Sequence, residues 1–324
     1  MTRAILKGLF ALLALVWTSY SSLAQTWPSR PITLIVPFAA GGALDLPARR
    51  LAAEIGPKLG QQIVIENRTG ANGNIGAAAV AKADPDGYTL LFGSPGVLVT
   101  NRFMYKSMPF DADRAFTPVA LLAKSPLLIA SSPKFPATNL KGLIDHAKAN
   151  PGKITVGTPG VGAQAHLIME LLQRQTGTQM TYVPYRGGSN VIGDLVSGYI
   201  DLTAVYVPAL IGAVKDGTVR GLVVTTLERS KQLPEVPTIH ESGLPGFEAV
   251  AWYCVAAPAG TPRDVVMKLN AAINDYLKSP LGQQQFEALD MQPVGGTPEE
   301  LRDYIAAEVA KWGPIIKAAG MKAE

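Results

Sequence analysis

At 324 residues, 48% hydrophobic and 17% charged, the chain is long and apolar enough for one large or two medium globular domains and too apolar to be disordered. Its formal charge of +4 falls to about +2 once Arg3 and Lys7 of the N-terminal segment are set aside, too little and too scattered for a nucleic-acid or anionic-membrane surface. Cys254 is the only cysteine, which excludes an internal disulfide. Flanked by Tyr, Val and Ala in "AWYCVAAP", it reads as a small buried hydrophobe, since a reactive thiol wants a basic, partly exposed setting.

The chain opens with Arg3 and Lys7, an apolar block from Gly8 to Trp17, and a polar stretch ending Ser22-Leu23-Ala24. Small residues at Ser22 and Ala24 mark residues 1–24 as a signal peptide cut before Gln25, so an exported, periplasmic protein is expected. The apolar block is short for the ~30 Å of a bilayer core. No cysteine follows the cut, which argues against a lipoprotein.

Apolar runs then alternate with helical patterns. "ITLIV" precedes "LPARRLAAEIGPKLG", "QIVIEN" precedes "NIGAAAVAKA", and "YTLLFGS" follows. Such nearly continuous runs are expected of parallel strands buried on both faces, in a doubly wound α/β sheet. The pattern restarts with "LLIASS", "KITVGT", "MTYVPY", "DLTAVYV" and "VRGLVVTT", interleaved with helices. After "AWYCVAAP" come two helical stretches with no fresh strands, which need the first sheet to cover. The chain is therefore expected to build one lobe, cross to a second, and return. The boundaries read as 25–122 plus 254–324 for domain one and 123–253 for domain two, joined by a two-stranded hinge around a ligand groove.

Each expected domain carries a glycine-rich strand-to-helix turn. In "PFAAGGALD" Gly41 and Gly42 let the backbone approach a ligand, and the free N–H groups and dipole of the following helix favour an anion. Asp45, in the first helical turn, is expected to accept from the loop's backbone or complement the dipole rather than touch the ligand. Phe38 supplies apolar wall. "GTPGVGAQAH" repeats the logic with Gly157, Gly160 and Gly162. Neither turn has the Lys-Ser/Thr of a phosphate loop, and the glycine spacing is wrong for a dinucleotide fingerprint.

No catalytic residue, metal site or cofactor is expected. There is no G-x-S-x-G elbow, and the histidines show no ligand spacing. His146 is read on a solvated helix face and His240 in a surface loop. His166 either reaches the cleft or is a buried histidine bonded to backbone. Glu299 and Glu300 suit a helix start. An exported α/β hydrolase using Ser94 and His166 stays as a competing reading.

Nine blocks, from "WPSRPITLIVPFAAGGALDLPAR" through "ITVGTPGVGAQAHLIMELLQ" and "YVPYRGGSNVIGDLVSG" to "EVAKWGPIIKAAGMK", resemble the receptors of tripartite tricarboxylate transporters, the Bug family of periplasmic solute-binding proteins. The resemblance spans about Trp27 to Lys322. It implies a two-domain type II periplasmic-binding-protein fold, a Venus flytrap that takes a small mono- or dicarboxylate and delivers it to membrane permease subunits. It also implies that backbone groups of both loops, with bridging waters, grip one carboxylate. Carried onto this chain, the contacts are Phe38, Ala40, Gly41 and Gly42 from domain one, and Thr158, Gly160, Gly162, Ala163 and Gln164 from domain two. Ser94 and Tyr206 face the ligand's other end. Arg186, in "PYRGG", either meets a second carboxylate or is solvated or paired.

The chain departs from that pattern at Ala40, where the family often has Pro, at Ala115, where an acid is usual, and in "AVYVPAL", which lacks the common acid or Asn. The last departure makes an amino-acid ligand less expected. A closed receptor engaging a sensor kinase is the competing partner. A monomer is expected, with no nucleic-acid partner.

Overall fold

A computed structural model describes residues 27–323 apart from 159, 161, 186 and 187. The signal-peptide reading of residues 1–24 and the role of Arg186 therefore lie outside the described residues. Among the described residues, no helix is long and apolar enough to cross a membrane.

The first sheet contains β1 (Ile32–Val36), β2 (Ile63–Asn67), β3 (Thr89–Gly93) and β4 (Phe116–Ser125). It is completed from the far end of the chain by β10 (Ala251–Pro258) and β11 (Gln292–Gly295), in the order β11-β4-β10-β3-β1-β2. The second sheet, β5 (Leu127–Ser131), β6 (Thr155–Thr158), β7 (Thr181–Pro184), β8 (Leu202–Tyr206) and β9 (Arg220–Val224), runs in the order β7-β6-β8-β5-β9. Two sheets, each built around its own βαβ units, make the two-lobed α/β fold expected from the alternation of patterns.

Both sheets are mixed rather than wholly parallel. β1 is parallel to β2 and β3, and β6 to β7 and β8. By contrast β10 runs antiparallel to β3 and β4, and β5 antiparallel to β8 and β9. The passage between sheets dictates this. β4 ends where β5 begins, and β10 re-enters the first sheet at the edge β4 has just left, so each entering strand must point back along its neighbours. The short β11 escapes the sequence pattern because "QPVG" carries Pro and Gly, residues that normally punctuate rather than build strands.

Helices α1 (Asp45–Leu59), α2 (Asn74–Ala81), α3 (Asn101–Met104), α8 (Arg263–Lys278), α9 (Pro280–Glu287) and α10 (Pro298–Ala318) accompany the first sheet. Helices α4 (Leu140–Ala149), α5 (Gln164–Thr176), α6 (Gly188–Ser197) and α7 (Val207–Lys215) accompany the second. Their ends follow local chemistry. α1 stops at Gly60, whose φ of 77° is the left-handed cap glycine tolerates. α4 starts at Asn139, whose side chain accepts from the Gly142 N–H at 2.8 Å. α10 starts at a reciprocal capping box between Thr297 and Glu300, which is why acids open that helix.

One apolar core runs through both lobes, from Leu34, Phe92 and Leu269 to Ile129, Leu167 and Leu172. A smaller cluster around Leu195, Val205 and Leu210 covers another part of the second sheet. Cys254 is fully buried, and burial pushes its thiol well up, so it is inert packing as its sequence setting indicates. Beside it, Trp252 and Trp312 both donate their indole N–H to Oε2 of Glu308, at 3.0 and 2.9 Å, inside the core. That shared carboxylate clamps the C-terminal helix α10 to β10.

Candidate functional site

Strand direction places the loops. In the first sheet the C-terminal ends of β1, β2, β3 and β4 lie on the edge from which β10 enters. In the second, the C-terminal ends of β6, β7 and β8 lie level with the start of β5, since Leu127 pairs with Tyr206. β4 and β5 are separated only by Pro126. The two carboxyl edges are therefore joined at their meeting point, and the strand-to-helix loops of both sheets gather there, where α/β folds bind ligands.

The first loop, Pro37 to Leu44, is held by Asp45. This residue is 2% exposed. Its Oδ2 accepts the Gly41 N–H at 2.8 Å and the Arg49 Nε–H at 2.7 Å, and its Oδ1 accepts from Asn67 at 2.9 Å. Asn67 also donates to the Phe38 carbonyl at 3.0 Å. Burial pushes the Asp45 carboxyl up, but the hydrogen bonds from Arg49, Gly41 and Asn67 outweigh it and hold the group below its ordinary value. Asp45 is thus an anion built into the loop, as its place in the first helical turn suggested.

Gly41 has φ of 77°, with open space where a Cβ would stand. Its N–H is occupied by Asp45, so Gly41 brings conformation to the loop rather than a spare donor. The Gly42 N–H reaches the Ala39 carbonyl at 3.3 Å. Among the described residues nothing accepts from the N–H groups of Ala40, Ala43 and Leu44, which leaves three donors at the start of α1 for solvent or a ligand. The Phe38 ring lies beside Gly73, 3.3 Å from where a Cβ there would stand, and is half-buried.

The second loop repeats the device with different chemistry. Gly162, at φ of 74°, donates its N–H to Nδ1 of His166 at 3.2 Å, again four residues on. Burial holds His166 below its ordinary pKa against the pull of Glu170. The ring is therefore neutral, with Nδ1 as acceptor, and it packs on Tyr182 at 4.1 Å between centroids. Of the two readings open for His166, the buried histidine bonded to backbone is the one the geometry takes. Its Nδ1 is spent on the loop, which removes it as a base for Ser94.

The remaining expected residues fall around this edge. Thr158 is buried at the end of β6, and its carbonyl accepts from Tyr185 at 2.8 Å. Gly160 has φ of 140° with open space around it, and Ala163 is the N-cap of α5, donating to the Gly160 carbonyl at 3.3 Å. Gln164 begins α5, but its side chain donates to the Val250 carbonyl at 3.0 Å, tying this loop to the chain's return path. Ser94 is buried just past β3, its carbonyl accepting from Leu98. Tyr206, half-buried, stands at the N-cap position of α7 without a side-chain capping bond.

Two contacts escape sequence reasoning, and the first comes from the opposite lobe. A Cβ on Gly162 would fall 2.2 Å from Sδ of Met104, at the end of α3 in the first lobe. Met104 carried no pattern signal, because the short helix after "GSPG" reads as a turn. Asn67 had one, a polar residue closing the apolar run "QIVIEN". The described surface depressions lie beside α1 at Arg49, Gly56 and Gln61, near Pro126, Ser230 and Asp290, and by Thr117, Arg263 and Arg302. Among the described residues no group of three or more His, Cys, Asp or Glu is placed to hold a metal.

Residues 47–321 match the model of the tripartite tricarboxylate transporter family receptor. Among solved structures, the chain is 39% identical to R. palustris Rpa4515 with adipate, covering 91% of this chain and 99% of that one at a TM-score of 0.79. It is 35% identical to the periplasmic binding protein BugD, covering 92% and 100% at a TM-score of 0.75. It is 33% identical to MatC from Rhodopseudomonas palustris with bound malate, covering 90% and 100% at a TM-score of 0.74.

Proposed function

Because the chain belongs to the tripartite tricarboxylate transporter receptor family, we propose that it is a periplasmic solute-binding protein that captures a small carboxylate between its lobes and hands it to the permease of such a transporter. In this reading the lobes change over within β4 and β10, residues 25–122 and 254–324 moving against 123–253. The signal-peptide pattern of residues 1–24 and the periplasmic relative BugD support export. The relatives holding adipate and malate support an acidic ligand.

The observation that carries the reading is the matched pair of loops. Each opens a helix, each has a glycine at positive φ, and each glycine's N–H is held by a side chain four residues later. Fixing one N–H internally sets the loop's shape and leaves its other donors oriented. A helix N-terminus contributes about 0.3–1 kcal/mol to a carboxylate, up to ~2 when partly buried. Micromolar binding needs about 8 kcal/mol. The balance comes from direct and water-bridged hydrogen bonds, and from burying the ligand's carbon skeleton against Phe38 as the lobes close. Ligand that binds the closed form better than the open one shifts the population toward closure.

Binding without chemical change is also favoured by His166, whose Nδ1 is committed to Gly162. Calorimetry of the mature protein with adipate, malate and matched monocarboxylates tests the proposal. Saturable binding of at least one acid, returned unchanged, is expected. No binding across the series, or turnover of an ester by a Ser94-dependent route, overturns it.

A further inference from the structure

We propose that the cavity beside Pro126, where the chain passes from the first sheet to the second, binds a small primary ammonium compound through the carboxylate of Asp290. The site lies apart from the glycine loops and stands whether or not those loops take an acid.

The cavity has a volume of about 260 Å³. It is lined on one side by the segment after β9, from Thr226 to Lys231, and on the other by the turn between α9 and β11, which carries Asp290 and Met291. Sheet order separates it from the glycine loops. β11 flanks β4 on one side, with β10, β3 and β1 on the other, and β9 flanks β5 on one side, with β8 and β6 on the other. The glycine loops follow β1 and β6, whereas the cavity lies between the end of β9 and the start of β11. It therefore occupies the opposite flank of the passage from β4 to β5.

Asp290 is 7% exposed. Its Oδ1 accepts from the Ser230 hydroxyl at 2.8 Å, and that hydroxyl in turn accepts from the Gln232 N–H at 3.1 Å. Its Oδ2 is buried, and among the described residues no group donates to it. Burial pushes the Asp290 carboxyl up, and the Ser230 bond alone pulls against it, so neither Arg229 nor Lys231 offsets its charge. The backbone at Asp290 is left-handed, with φ of 52°, a conformation that glycine takes with less strain after a helix. The position thus keeps an acid of which one oxygen has no use inside the chain. A buried acceptor without a partner is costly, and this one belongs to the wall of a cavity that a partner can enter.

The neighbouring charges select a cation. Lys231 is paired with Glu287, and Arg229 with Glu241 at 2.9 Å. Glu228 also lines the cavity, and its carboxylate forms no ion pair among the described residues. Two carboxylates are therefore left over and no basic group. Among the described residues no group of three or more His, Cys, Asp or Glu is placed to hold a metal, so a bare metal ion lacks ligands here. An ammonium group needs fewer, since one of its N–H bonds satisfies Oδ2 in a charge-assisted hydrogen bond. Pro126, Met291 and Pro293 offer apolar surface to a short carbon chain. Pockets for drug-sized ligands run to roughly 300–1,000 Å³, so this smaller one fits a compound of a few carbons.

Calorimetry and thermal melts of the mature protein with propylammonium chloride, in low-salt buffer at pH 7, test the assignment. Tetramethylammonium chloride and potassium chloride are the controls, the first matching the charge with no N–H to give. Propylammonium is expected to bind one site with a dissociation constant on the order of 1 mM and to raise the melting temperature, and the controls to do neither. Asp290→Asn keeps an acceptor for Ser230 and removes the charge. It should bind propylammonium about tenfold or more weakly, as loss of a hydrogen bond to a charged group implies. Glu228→Gln, at an exposed position, should bind it about two- to threefold more weakly. Absence of saturable binding, an equal response to tetramethylammonium or potassium, or wild-type affinity in Asp290→Asn each overturns the site. Should Asp290→Asn fail to fold, wild-type affinity in Glu228→Gln overturns it instead.

Discussion

Gly162 gives its backbone N–H to Nδ1 of His166, four residues later, just as Gly41 gives its own to the carboxylate of Asp45. Both loops carry a glycine at positive φ whose N–H is held four residues on, but an aspartate secures the first and a neutral imidazole the second. Their responses to pH should therefore differ.

For His166 the sign is set by burial, which lowers its folded pKa. The unfolded chain protonates this histidine near pH 6.5 while the folded one resists. The unfolded state thus binds more protons below that pH, and stability is fully present above it and falls as pH drops toward the folded value. The slope is at most about 1.4 kcal/mol per pH unit. Melting curves from pH 7.5 to 5 should fall more steeply for wild type than for His166→Asn. Parallel curves would remove His166 as the source.

For Asp45 the folded pKa is lowered. Its contribution should be present above about pH 3.9, the unfolded value, and be lost as pH falls through the folded one. Asp45→Asn should cost about 2 kcal/mol at pH 7, since it weakens hydrogen bonds to a charged acceptor. The difference from wild type should shrink in strong acid. Urea unfolding at pH 7 and pH 2.5 measures both.

The two glycines should respond differently to alanine. Either substitution forces a left-handed φ at a cost of about 1–2 kcal/mol. At Gly41 nothing else stands in the way, whereas at Gly162 the new methyl collides with Met104 across the lobes. Gly162→Ala should therefore destabilise more than Gly41→Ala. Adding Met104→Ala should recover part of the Gly162 loss and none of the Gly41 loss, a comparison that denaturant midpoints settle.

Glu308→Leu should strand two buried indole donors, on Trp252 and Trp312. With about 1–3 kcal/mol lost for each unsatisfied group, destabilisation of about 3 kcal/mol is expected. Thermal unfolding and the tryptophan emission maximum would report it. A variant as stable as wild type would show that the shared carboxylate does not clamp α10.

Much of this was legible in the sequence because it is local. "ITLIV" is β1 residue for residue, and the glycine turns fall between strand and helix as their composition dictates. The role of Asp45 follows from its position in the first turn of a helix. What escaped was non-local. Gln164 lay in the right loop, but only the fold shows its side chain turned to Val250. The parallel pattern of β1, β2 and β3 does not carry over to β5, because strand composition reports burial, not direction. Direction was fixed by the two passages between sheets.

β10 lies between β3 and β4, in the middle of the first sheet, although some 125 residues separate it in sequence from the end of β4. The second sheet, by contrast, draws all its strands from one uninterrupted stretch, Leu127 to Val224. A chain emerging N-terminus first can finish the second sheet while the first still has a gap at its centre. The centre of the first sheet is filled only when residues 251–258 arrive and its edge only with residues 292–295, so that sheet is the last of the two to be completed.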